Sequence, residues 1–137
     1  MFTSRRIRIA VVVAGAALLA QGAVGAQQPP TVKRTVLLQH DLVNVPNYQS
    51  ALVLVEIPVG GREGRHTHAG TILVQVESGE LTLDYEGKPT VTYKAGESFF
   101  VDPGKIHEGI NKGTAPIRAL ASFVTEKGKP LTTQVPN

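Results

Sequence analysis

His66 and His68 stand two residues apart in a glycine-bounded stretch, Gly60 to Gly79, that reads GGREGRHTHAGTILVQVESG. In an extended strand, side chains alternate between faces, so both imidazoles point to one side, about 7 Å apart along the backbone. Two neutral imidazoles on one face make half of a metal site. A third is available from His107, inside a second glycine-bounded stretch, Gly96 to Asn111. The chain has no cysteine, which excludes disulfides, thiolate metal sites and cysteine nucleophiles together. It offers no obvious serine nucleophile and no paired carboxylates, so any chemistry has to come mainly from a metal.

The elements that position these histidines read as strands. Lys33 to Gln39 reads as a first strand, and the segment from His40 to Ser50, with Asn44, Pro46 and Asn47, as a loop. Ala51 to Ile57 is a short, branched apolar run that ends at Pro58, as a buried strand does. Thr71 to Glu77, Leu81 to Tyr85, Thr90 to Tyr93, Ser98 to Val101, Ile106 to Ile110 and Ile117 to Thr125 follow, separated by turn residues such as Ser78-Gly79 and Asp102-Pro103-Gly104. The tail from Glu126 onward is polar and proline-containing. No segment after the first 26 residues has a 3.6-residue apolar period. Many short strands with a turn every 8 to 12 residues predict an all-β sandwich or barrel. Val53, Val55, Ile72, Val74 and Leu83 are the expected core, and Phe99 rather than Phe100 should face inward with Val101.

Residues 1–26 read as a secretory signal. Arg5, Arg6 and Arg8 precede an uncharged apolar run of 12 residues, Ile9 to Ala20, and Val24-Gly25-Ala26 supplies small residues for cleavage. A membrane span needs about 20 apolar residues, and Gln21, Gly22, Gln27 and Pro29 interrupt that extension, so no stable membrane insertion is expected after cleavage. Cleavage near Ala26 would leave residues 27–137 as one domain, exported to the periplasm or the medium. The formal charge of +3 then disappears: three of the 14 Lys and Arg lie in the leader, leaving 11 against 11 Asp and Glu. Near-neutral charge with scattered basic residues argues against a nucleic-acid surface.

The two glycine-bounded stretches together resemble the paired motifs of the cupin superfamily. The first cupin motif is a glycine, five residues, His-x-His, three or four residues, a glutamate, six residues and a glycine. Gly60, His66, His68 and Gly79 fall on it, with Ile72 at the glutamate position. The second motif is a glycine, five residues, Pro-x-Gly, two residues, a histidine, three residues and an asparagine. Gly96, Gly104, His107 and Asn111 match it, and Asp102 stands in place of the proline. The resemblance implies an all-β, cupin-type jelly-roll β-barrel over residues 27–137, with His66, His68 and His107 as metal ligands.

Cupins commonly add a glutamate to three histidines, and Ile72 cannot serve as one. The resemblance then narrows to the three-histidine, iron-dependent thiol and diketone dioxygenases within the cupins. It implies a divalent metal, Fe(II) favoured, although three imidazoles also suit Zn, Mn, Ni or Cu. Three neutral ligands leave the +2 charge of the ion unbalanced, so a small chelating anion such as an enolate or carboxylate is the expected substrate. Glu77 and Glu108 should face away from the site, Glu63 and Asp102 lie in loops, and His40 reads as a solvated loop histidine. Asn111 is expected to hydrogen-bond backbone. Two functions stay open: a metal-dependent enzyme, and a non-catalytic module that binds a metal or a small ligand. Cupins of this kind often form homodimers.

Overall fold

A computed structural model describes residues 30–136, and the leader reading therefore lies outside the described residues. Ten strands follow in order: β1 (Lys33–Asp41), β2 (Tyr48–Ile57), β3 (His66–Thr67), β4 (Thr71–Ser78), β5 (Glu80–Tyr85), β6 (Val91–Lys94), β7 (Ser98–Val101), β8 (His107–Ile110), β9 (Ile117–Glu126) and β10 (Thr133–Gln134). They pair antiparallel in two five-stranded sheets, β1-β2-β9-β4-β7 and β10-β3-β8-β5-β6. This is the jelly-roll arrangement that the strand pattern and the two motifs imply. No helix among the described residues is long and apolar enough to cross a membrane.

Alternation along the three central strands of the first sheet builds the core. On β2, Ala51, Val53, Val55 and Ile57 are buried, as are Ile72, Val74 and Val76 on β4 and Ala119, Ala121 and Phe123 on β9. Leu81, Leu83 and Tyr85 of β5 close over them from the second sheet. Burial of each such branched side chain stabilises by about 1.5–3 kcal/mol, and the period of two keeps the whole set on one face. Glu77 faces outward towards Arg118 at 3.7 Å. Phe99 packs against the core while Phe100 is exposed, as alternation with Val101 requires.

The glycines of both motifs earn their places through backbone geometry. Gly60, Gly79, Gly96 and Gly104 all have φ between 70° and 89°, a region that L residues with a Cβ rarely enter. Gly79 joins β4 to β5, and a Cβ there would lie 2.7 Å from the Pro116 carbonyl oxygen. Any other residue would have to push the β8–β9 connection away.

Three elements differ from the sequence reading. β1 runs on to Asp41 and β2 starts at Tyr48, so both ends of the expected loop are strand, with His40 opposite Ser50. His40 is therefore a strand residue, though an exposed one. The polar tail is not a plain coil either: β10 pairs with β3, Gln134 opposite His66. Two-residue strands carry no period to read, and β10 exists because β3 offers it an edge.

Candidate metal centre

Strand pairing brings two of the three histidines together. His66 on β3 and His107 on β8 are direct partners across the antiparallel ladder, where facing Cβ atoms lie about 4.5–5.5 Å apart. His68 follows just past the end of β3 and returns to the same side. The three ring centroids are 4.3 to 4.9 Å apart, all three residues are buried, and the ligand nitrogens lie within 4.8 Å of one another. The three positions that the sequence singled out thus meet in one place. The rings of His68 and Phe123 pack edge to face, with centroids 5.1 Å apart.

Each ring is held by its second nitrogen. His66 Nδ1 donates to the Gly64 carbonyl at 2.7 Å, His107 Nδ1 to the Lys105 carbonyl at 3.0 Å, and His68 Nδ1 to the Leu131 carbonyl at 2.6 Å. A carbonyl oxygen can only accept, so each Nδ1 carries the proton and each neutral ring presents a bare Nε2. Burial pushes His68 down to about 3, with its hydrogen bond to Leu131 opposing. Burial likewise lowers His66 and His107. All three are neutral imidazoles at pH 7, the form that binds metal.

Two of the bare nitrogens meet at short range: His68 Nε2 and His107 Nε2 are 3.1 Å apart. With both protons on Nδ1, neither can donate to the other, and two lone pairs at that distance repel. Two nitrogens sharing one ion at 2.0–2.1 Å, at angles between octahedral and tetrahedral, lie roughly 2.9–3.3 Å apart. The donor set therefore fits a divalent cation in its chemistry, and the His68–His107 pair fits one in its spacing.

The remaining motif positions prove to be supports. Ile72 is buried and lines the same cavity as the three imidazoles. Asn111 is 2% exposed. Its amide nitrogen donates to the carbonyls of Ile57 and Ala115, and its oxygen accepts from Gly113 N, so it ties the end of β8 to the end of β2 and to the loop that leads into β9. Asp102 accepts a hydrogen bond from the Tyr85 hydroxyl at 3.3 Å, a turn contact well away from a ligand role.

Glu108 turns from the cavity, as its position beside His107 predicts, and it is nevertheless buried. Arg62 donates to both its carboxylate oxygens, at 2.9 and 2.6 Å, and holds it below the usual carboxylate range. Gly64 N also donates to it, which fixes the turn whose carbonyl orients His66. Sequence reasoning missed this brace, and it missed the Leu131 carbonyl, since a backbone acceptor 63 residues from its histidine leaves no residue-type signal.

The space beside the histidines is small, about 30 Å³, the share of one water molecule in the liquid. Its wall is mostly apolar, including Val55, Leu83 and Phe123, and beside the neutral imidazoles it carries two charged side chains, Arg34 and Glu63. A larger groove of about 560 Å³ runs over Leu52, Leu73 and Phe100. It includes no histidine, so the smaller cavity is the chemically relevant one.

This chain belongs to the cupin family: residues 53–123, more than half of it, match the family model described as a cupin domain. No curated protein sequence matches it. Among solved structures it resembles a cupin domain from Bordetella pertussis Tohama I, at 22% identity and TM-score 0.58, over 73% of this chain and 99% of that one. Oxalate oxidase in complex with the substrate analogue glycolate matches at 21% identity and TM-score 0.62, over 80% of this chain and 57% of that one. The DMSP lyase DddQ from Ruegeria pomeroyi matches at 21% identity and TM-score 0.57, over 63% of this chain and 43% of that one. The chain thus spans about half the length of these two enzymes, and at such identities the likeness is one of fold.

Proposed function

We propose that this is an exported, three-histidine metal cupin in which His66, His68 and His107 hold one divalent ion, Fe(II) being favoured, for dioxygenase-like chemistry on a small chelating organic substrate. The observation that carries the reading is the meeting of three buried imidazoles, each with Nδ1 committed to a carbonyl and Nε2 free. A bound divalent metal would supply Lewis acidity and, as iron, access to dioxygen. The chain's own residues do the rest. The three carbonyl acceptors fix ring orientation, while Ile72, Phe123 and Leu83 keep the surroundings dry and so strengthen every charge interaction inside. Two fold neighbours named as enzymes, the DMSP lyase and the oxalate oxidase, support a small-molecule role. The leader-like residues 1–26 support export.

The small cavity favours a second reading, in which the same site binds a metal or a small ligand without turnover. Elemental analysis of the protein purified from its export compartment, with N-terminal sequencing, comes first. Dioxygen uptake is then measured across diketones, thiols and phenolics, for wild type and His107→Ala. The enzyme reading expects metal, uptake with one class, and loss of both in the variant. Full metal without uptake favours the binding module, and a variant with full metal and turnover overturns the site itself.

A further inference from the structure

Each sheet ends on an edge strand at the same side of the barrel, β7 in one and β6 in the other. A groove of about 370 Å³ lies along the seam between them, lined by Tyr93 of β6, Phe99 and Phe100 of β7, and Leu83, Tyr85 and Lys88 of β5 and its hairpin. That volume is in the range of small-molecule sites. The groove includes no histidine, and Leu83 and Phe99 are the only residues that line both it and the metal cavity.

Aromatic residues are scarce in this chain and gather here. Of its four Phe and three Tyr, two of each line the groove. Tyr93 and Phe99 meet across the seam with ring centroids 4.7 Å apart, and both pack against the core, so they form the floor. Phe100 is 54% exposed. An exposed ring on an edge strand invites aggregation unless something covers it.

Lys88 is the one charged residue in the lining. Its Nζ lies 4.1 Å from the centroid of the Tyr85 ring and 5.7 Å from that of Phe100, so cation–π attraction keeps it at the groove. An ammonium has three donors, and among the described residues no carboxylate pairs with this one. Glu86 accepts from Arg65, and Asp102 from the Tyr85 hydroxyl. A cation with open donors beside a bed of π faces is complementary to a flat anion. The larger groove over Leu52 and Leu73 carries no charge, and nothing there specifies an occupant.

We propose that the seam groove is a binding site for a small aromatic carboxylate, outside the metal centre. The ring of the acid stacks over Tyr93 and Phe99 with Phe100 as a side wall, and its carboxylate accepts from Lys88 Nζ. This inference does not rest on the metal reading, because none of the three histidines lines the groove.

The test is calorimetric and uses the full chain in excess chelator, so that no acid is held by a metal. 2-Naphthoate is titrated beside 2-naphthamide, which keeps the ring system without the charge, and cyclohexanecarboxylate, which keeps the charge without the aromatic face. Naphthoate should bind best of the three. Lys88→Gln should weaken it about 5- to 10-fold, as expected for one charge-assisted hydrogen bond in a partly solvated place, and leave the amide nearly unchanged. Phe100→Ser should weaken naphthoate and naphthamide alike, by about 3- to 10-fold. Both side chains are exposed, so both variants should melt close to wild type.

The assignment fails if naphthoate does not bind at millimolar concentration, or if the amide or the cyclohexane acid binds as tightly. It fails equally if Lys88→Gln binds naphthoate as wild type does. A wild-type chain that sediments as a dimer, takes up no naphthoate and becomes monomeric on Phe100→Ser gives the groove to a second copy of the chain and overturns the proposal.

Discussion

Placing a carboxylate where the cupin motif usually has one gives the sharpest test of the centre. Ile72 is 4% exposed and shares its cavity with His66, His68 and His107. In the chelated protein, Ile72→Glu loses about 1.5–3 kcal/mol of apolar burial. It also leaves a polar group without a partner in an apolar wall, at a further cost of about 1–3 kcal/mol. A total near 4 kcal/mol lowers the melting temperature by at least 15 °C in a domain of about 100 residues. With a divalent metal present, the new carboxylate becomes a fourth, charged ligand. A hundredfold gain in metal affinity restores about 2.7 kcal/mol. Scanning calorimetry with excess Zn(II) and with chelator should therefore show a metal-dependent rise in melting temperature larger in the variant than in wild type by about 10 °C or more. Ile72→Gln, which lacks the charge, should show the loss without most of the recovery. Equal losses with and without metal would refute the reasoning, because the side chain at position 72 would then not reach the ion.

Three further outcomes follow from the same contacts. Asn111→Ala orphans two carbonyls and an amide in the interior and should cost about 3 kcal/mol in urea denaturation, with zinc content at saturation unchanged; a loss below 1 kcal/mol contradicts the bracing role. Ending the chain after Lys129 removes the Leu131 carbonyl that orients His68 and the strand that covers His66, so zinc affinity in a competition titration should fall about 10- to 100-fold, and equal affinity counts against it. The chelated protein should lose stability on acidification. Its imidazoles have folded-state values below the ordinary one, His68 at about 3, so the unfolded chain takes up protons first. Stability is then full above about pH 6.5 and falls towards pH 3, by roughly 1.4 kcal/mol per pH unit for each imidazole kept neutral. Glu63, raised by burial, opposes this, and Glu63→Gln should steepen the fall; a flat profile from pH 7 to 4 contradicts the neutral, buried cluster.

Much of the fold was legible because its signals are local. The alternation in Thr71 to Glu77 selects one face for the core wherever the partner strands lie, and the burial pattern of β4 follows it. The apolar run Ala51 to Ile57 marks a strand whose buried face only pairing selects. The motif glycines were legible for a related reason: a positive φ is a property of one residue, and the sequence must supply glycine there. The ends of β1 and β2 were not legible, because Asn44, Pro46 and Asn47 are turn residues whose influence stops where ladder pairing begins.

By itself, then, the sequence determined the all-β class, the cupin motifs and the three histidines that converge. These depend on periodicity, residue type and spacing along the chain. Tertiary structure alone decided what surrounds them. Leu131 carries its carbonyl to His68 across 63 residues, Arg34 reaches Glu63 across 29, and Gly109 leaves the slot for that carboxylate. Such contacts arise when two sheets close on each other, and separation in space, which no local pattern encodes, is what sets them.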